Sequence, residues 1–150
     1  MPSADFSKSL EVQSSLEDCW NVITDAQQVA GWVSVVNTVV EVEPLETYTA
    51  VLEDSFGPFK LHADINVRVT ELVDRKSIRF EGNGQDRTVG TTIGVDARME
   101  LEPSESGTVI RVEGKYQVLG SVATMGGSTI RKKADTIIEE FFAAVDKALG

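Results

Sequence analysis

The sequence predicts an α+β fold in which a curved, seven-stranded antiparallel sheet wraps around one long C-terminal helix, with two short helices after the first strand. Three observations carry this. Between Val35 and Val118 apolar and polar residues alternate with a period of two almost throughout, as in strands with one buried face. The breaks in that run, at Pro44, Gly57-Pro58, Asp74-Arg75, Gln85-Asp86-Arg87 and Ser104 to Gly107, are short enough that successive strands must pair antiparallel. Helical periodicity is confined to a stretch behind the first strand and to the segment Leu119 to Leu149.

The opening stretch DFSKSLEVQ alternates around Phe6, Leu10 and Val12 and reads as the first strand. In SSLEDCWNVITD, Ser14 or Ser15 caps a helix whose first turn holds Glu17 and Asp18 at its positive end. Leu16, Trp20 and Ile23 then form its core face, and AQQVAGWV supplies a second short helix after a break at Asp25.

VVNTVVEVE, TYTAVLEDSF, FKLHADINVRVTEL, KSIRFEGNG, VGTTIGVDARMELEP and GTVIRVEGKYQV give the remaining strands. In the third of these, Leu61, Ala63, Ile65, Val67 and Val69 make a dry face against Lys60, His62, Asp64, Asn66 and Arg68. The fifth repeats the pattern with Ile93, Val95, Ala97, Met99 and Leu101. The last helix carries Ala134, Ile137, Phe141 and Val145 on one stripe. No internal repeat or linker divides the chain, so residues 1–150 are expected to form one domain.

Composition narrows the function. A net charge of -10, from 14 basic and 24 acidic residues, argues against a nucleic-acid partner. It leaves at most peripheral contact with a membrane. The first residues, MPSADFSKSLEV, hold no signal-peptide run, and no stretch has the ~20 apolar residues of a spanning helix. With a lone Cys19 fitting a reducing compartment, a cytoplasmic location is expected.

Catalytic and metal chemistry find little to work with. One histidine and one cysteine exclude the usual zinc spacings, and any triad would have to use His62, which falls on a polar face. Cys19 beside Trp20 reads as a small buried thiol, and the acid pairs Glu17-Asp18 and Glu139-Glu140 as solvated helix surface. EGNGQ, Glu81 to Gln85, lacks the third glycine and the lysine of a phosphate loop and reads as a bulged strand end or hairpin. Arg131-Lys132-Lys133 reads as a charged helix face. No cofactor, metal or catalytic residue is assigned.

The stretch VLGSVATMGGSTIRKK, Val118 to Lys133, places Gly120, Gly126 and Gly127 in or beside a helix, where each costs roughly 1 kcal/mol relative to alanine. On a helical wheel, Leu119, Ala123, Gly126 and Ile130 share the core stripe, with Gly120 and Gly127 at its margin. Isoleucine and phenylalanine fill the second half of that stripe, and the first half is nearly empty. The missing volume is taken up either by close approach of the sheet or by a ligand.

The order of elements resembles the START-like, helix-grip superfamily. Several motifs resemble the CoxG family of carbon monoxide dehydrogenase: W-x-x-x-x-D from Trp20 to Asp25, Gly57-Pro58, Gly107-Thr108, and the run from Val118 through Met125-Gly126-Gly127 and Ile130 to Phe141-Phe142. One departure is Ser34-Val35, where members commonly carry Pro-Gly.

The resemblance implies a hydrophobic cavity between sheet and long helix and a non-catalytic accessory role beside a molybdenum-containing hydroxylase. The ligand it implies is hydrophobic or lipidic, quinone-like molecules included. With alternation setting which residues face inward, the expected lining is Trp32, Val36, Leu52, Phe56, Phe59, Ile65, Phe80, Ile93, Met125, Gly126 and Ile130, with Tyr116 and Thr91 as polar handles. Two other readings stay open on the same fold. One is an enzyme of the polyketide cyclase or hydratase kind, for which Asp54 is the nearest acid, otherwise read as a solvated strand end. The other is a protein-binding assembly module.

Overall fold

The computed structural model of the chain describes residues 3–56, 59–86, 88, 90–120 and 127–150. Its elements are β1 (Ser3–Val12), α1 (Leu16–Ile23), α2 (Ala26–Ala30), β2 (Val36–Glu43), β3 (Thr47–Phe56), β4 (Phe59–Val73), β5 (Ser77–Asp86), β6 (Thr91–Pro103), β7 (Thr108–Gly120) and α3 (Gly127–Leu149). The strands form a seven-stranded sheet in the order β1-β7-β6-β5-β4-β3-β2. Every neighbouring pair is antiparallel. β2 to β7 therefore form a simple meander, and β1 joins it on the far side of β7.

Local chemistry sets the boundaries. Of the two candidate serines, Ser15 caps α1, its side chain accepting from the Asp18 N–H at 3.2 Å. Asp25 caps α2 in the same way through the Gln28 N–H. In β4, Leu61, Ala63 and Ile65 are buried while Lys60, His62, Asp64, Asn66 and Arg68 are exposed. His62 lies on the outer face, 62% exposed and 3.2 Å from Glu53.

Two boundaries differ from expectation. Leu119 and Gly120 are strand, not helix, because β7 continues in register with β6, Leu119 opposite Thr92 and Gly120 opposite Thr91. Gly120 has φ +95° and sits against the Gly90 carbonyl, a place where only glycine fits. The helical-wheel placement of Leu119 and Gly120 is thus overturned, and α3 starts at Gly127. Ala123, Met125 and Gly126 lie outside the described residues.

The second difference is at EGNGQ. It is neither a bulged end nor a hairpin: β5 runs through it to Asp86, paired without a break to β6 and, from Gln85 back to Phe80, to β4. Asp86 is buried at the strand end, where one carboxylate oxygen accepts the His62 N–H at 2.7 Å and the other the Thr88 N–H at 2.9 Å. It thereby supplies the acceptors that a continuing ladder would have offered.

The inner face of the sheet holds two sealed clusters. One joins Val12, Cys19, Trp20, Ile23, Ile78, Met99, Leu101, Ile110, Val145 and Leu149, tying one end of β1, β5, β6 and β7 to α1 and the end of α3. Here Ser14 donates from both N–H and hydroxyl to the Leu149 carbonyl, at 3.0 and 2.7 Å. The Ser14 carbonyl in turn accepts from the Thr108 hydroxyl at 2.9 Å. Burial pushes the Cys19 thiol above its ordinary pKa, a hydrogen bond with Thr108 opposing it. The second cluster, Leu61, Ala63, Ile65, Val118 and Ile130, lies under the start of α3.

Candidate ligand site between the sheet and the long helix

Strand register builds the site floor row by row. On the inner face Tyr48, Val67, Gly82, Val95 and Tyr116 stand opposite one another across β3 to β7. The next row is Val69, Phe80, Ala97, Gly114 and Phe6. These two rows separate the sealed clusters. Tyr48 at the first row's end is buried, whereas Val67, Val69, Phe80, Val95 and Tyr116 face inward yet are only half-buried. Because α3 places Ile130 in one cluster and Val145 in the other, its residues Ala134, Ile137 and Phe141, also half-buried, span the belt between them. An inward apolar side chain that solvent still reaches marks room beside it.

The floor of the belt lacks volume at glycines, but each glycine is different. A Cβ on Gly84 would strike the Asp64 carbonyl and come within 2.5 Å of Ile65 Cδ1, so Ile65 already covers it. One on Gly114 would meet the Asp96 carbonyl and Phe6 Cζ at 2.9 Å. Gly82 is buried, yet among the described residues a Cβ there would meet just Ile65 Cγ2 at 3.4 Å and Val67 Cγ2 at 3.7 Å, ordinary contacts. α3 makes close backbone contact with β1 at the sheet edge. The sheet thus contributes a position without side-chain volume at Gly82, while Gly126 of the stretch that the sequence emphasised lies outside the described residues. Period two would have found Gly82, which alternates inward with Phe80 along β5.

The expected lining residues divide. Leu52, Ile65, Ile93, Tyr116 and Ile130 come together in or against the cluster under the start of α3. Trp32 and Phe80 pack instead against the other cluster, Trp32 meeting Phe141 edge-on with ring centroids 5.8 Å apart. Val36 is half-buried opposite Leu52. Thr91 is buried at the start of β6, opposite Asp86. Phe56 and Phe59 pair through their backbones across the β3–β4 turn; their side chains, like Met125 and Gly126, lie outside the described residues.

α3 is tied across the belt by polar clasps that sequence alone cannot show. Glu140 accepts from the Ser34 N–H at 2.7 Å and from its hydroxyl at 3.0 Å, fixing the loop that carries Trp32. A proline at 34 would have neither donor. Asp54, expected as a solvated strand end, is instead 23% exposed and paired with Lys133 of α3 at 2.8 Å. Its place opposite Leu61 on the inner face turns it toward the helix, which explains the difference. In a double-mutant cycle with Ser34→Ala and Glu140→Ala, urea unfolding should give a coupling of about 1 kcal/mol, modest because the pair is solvent-exposed.

Elsewhere the chemistry is thin. Depressions on the outer face are shallow and polar, lined by residues such as Arg79, Asp96 and Lys115. Arg79 grips Asp96 at 2.8 Å and holds its carboxyl below the usual range. Among the described residues no group of three His, Cys, Asp or Glu side chains could hold a metal, and no helix is long and apolar enough to cross a membrane.

The sequence profile of the carbon monoxide dehydrogenase CoxG subunit matches residues 9–150. The chain belongs to the CoxG family. No curated protein sequence matches it. Among solved structures, this CoxG-family chain is similar to a conserved protein from Geobacillus kaustophilus, with TM-score 0.80 and 18% identity over 97% of this chain and 94% of that one. It is similar also to a START superfamily protein from Mycobacterium smegmatis, with TM-score 0.75 and 16% identity over 97% and 96%. The di-domain ARO/CYC StfQ of the steffimycin biosynthetic pathway matches with TM-score 0.69 and 13% identity over 97% of this chain and 50% of that one. At such identities the likeness shows the fold alone, and that fold is START-like.

Proposed function

We propose that this CoxG-family chain is a non-catalytic accessory protein that holds a hydrophobic or lipidic ligand, quinone-like molecules included, between its sheet and α3. The observation that carries the reading is the belt of inward-facing, half-buried apolar side chains around Gly82, a position without side-chain volume. Burial at ~25 cal/mol per Å² makes such a wall attractive to apolar molecules of many shapes. The non-catalytic reading is supported by the inner-face groups: Asp86 and Asp54 are engaged with backbone amides and Lys133, which leaves no free acid–base pair there among the described residues. The family name supports a place beside a carbon monoxide dehydrogenase; in this proposal the chain serves there as a cytoplasmic carrier of a lipidic redox molecule.

The test is uptake. Purified protein incubated with lipid vesicles containing a long-chain quinone, then re-isolated and extracted, should retain the quinone at near one molecule per chain. Recovery no higher than for a mixed-charge control protein of similar size would sink the reading. Capture of a carbon monoxide dehydrogenase from the native host tests the partner separately.

A further inference from the structure

The two tyrosines stand at opposite ends of one inner-face row, and they are not equivalent. Tyr48 is buried and its hydroxyl accepts the Leu45 N–H at 3.1 Å, so its polar end is satisfied by the β2–β3 turn. Tyr116 is half-buried against the cluster that contains Ile130, and among the described residues its hydroxyl has no hydrogen-bond partner. A phenylalanine would pack there without a hydroxyl to satisfy. Water can serve that hydroxyl while the belt is empty. A ligand that fills the belt expels the water and must replace the bond or leave the group stranded.

The surroundings indicate which kind of atom replaces it. Burial raises the Tyr116 pKa, so the hydroxyl keeps its proton and can donate; of the charges on α3, Arg131 acts against that rise more strongly than Asp135 acts with it. The cationic side of this balance favours an electron-rich oxygen beside the hydroxyl.

We propose that Tyr116 is the polar recognition point of the belt, its hydroxyl donating a hydrogen bond to a carbonyl or similar acceptor oxygen on an otherwise apolar ligand. The site then selects oxygenated lipidic or aromatic molecules over plain hydrocarbons, because a hydrocarbon of equal size leaves the hydroxyl unpaired. This rests on the hydrophobic-ligand reading above and specifies which chemistry that ligand carries.

The experiment compares two fluorescent probes on the wild-type chain and Tyr116→Phe. Prodan is an aromatic ketone whose emission shifts to the red when its carbonyl accepts a hydrogen bond; diphenylhexatriene is a hydrocarbon. The variant removes only an unpartnered hydroxyl, so its thermal midpoint should match the wild type. Prodan affinity should fall about tenfold, with bound emission shifting to the blue, while diphenylhexatriene affinity stays level or rises. Equal loss for both probes, or unchanged prodan affinity and emission, overturns the role of Tyr116 while the carrier reading stands. A wild-type chain that takes up neither probe overturns both.

Discussion

Gly82→Leu should abolish uptake of a hydrophobic probe, by at least ~30-fold in Kd, or about 2 kcal/mol, in a protein that remains folded. Its Cβ position is free of clashes, nothing nearer than 3.4 Å, and Gly82 lies inside an unbroken strand pair with ordinary backbone geometry. A β-carbon in a strand interior also removes the entropic penalty of glycine, which offsets part of any packing strain. The side chain then projects into the belt and occupies the space a ligand would use.

Gly84→Leu, two residues along the same strand, should do the opposite. Its Cβ meets the Asp64 carbonyl and Ile65 Cδ1, so β4 and β5 must part. A loss of about 3 kcal/mol or more is expected, read as a shift of the urea midpoint. The pair is diagnostic because the two residues differ only in what lies above them. Probe binding retained by Gly82→Leu would show that the belt is not the binding site.

Ile110→Ala should cost about 4 kcal/mol and lower Tm by roughly 10 °C. Ile110 is fully buried between Leu101 and Leu10, under the end of α3, where nothing can relax into the space left behind. The same substitution at Ile93, inward-facing but half-buried, should cost about 2 kcal/mol or less, since part of that side chain already meets solvent. Differential scanning calorimetry on the two variants measures the contrast between the sealed end of the inner face and the open belt. Equal losses would mean that the belt is as tightly packed as the cluster.

How far the sequence could be read depends on what each segment does with its side chains. β4 was legible nearly to the residue because its two faces differ sharply, Leu61, Ala63 and Ile65 against His62, Asp64 and Asn66. The β7–α3 boundary was not. Val118 and Leu119 are a short apolar pair that suits a helix stripe as well as a strand, and only pairing with Thr92 and Ile93 decides between them. The inner-face lining was partly legible through alternation, which grouped Leu52, Ile65, Ile93 and Tyr116 correctly by face.

Alternation says nothing about curvature, so it could not show that Phe80 and Trp32 pack toward the opposite end. Gly82 left no hydrophobic signal at all. The Ser34–Glu140 clasp joins residues 106 apart in the chain, and such a contact exists only once the fold has brought them together.

The placement of β1 sets an order of events. β2 to β7 are joined by tight turns and can zip hairpin by hairpin, each closing only a small loop. β1 has no such neighbour. Its ladder runs from Ser3 opposite Gln117 to Val12 opposite Thr108, and the knot behind it links Ser14 to Leu149 across 135 positions. A chain emerging from a ribosome must therefore hold β1, with Phe6, Leu10 and Val12 uncovered, until nearly all the rest has been made. β1 precedes the other strands of this sheet, and it pairs only once β7, the last of them in chain order, has been made.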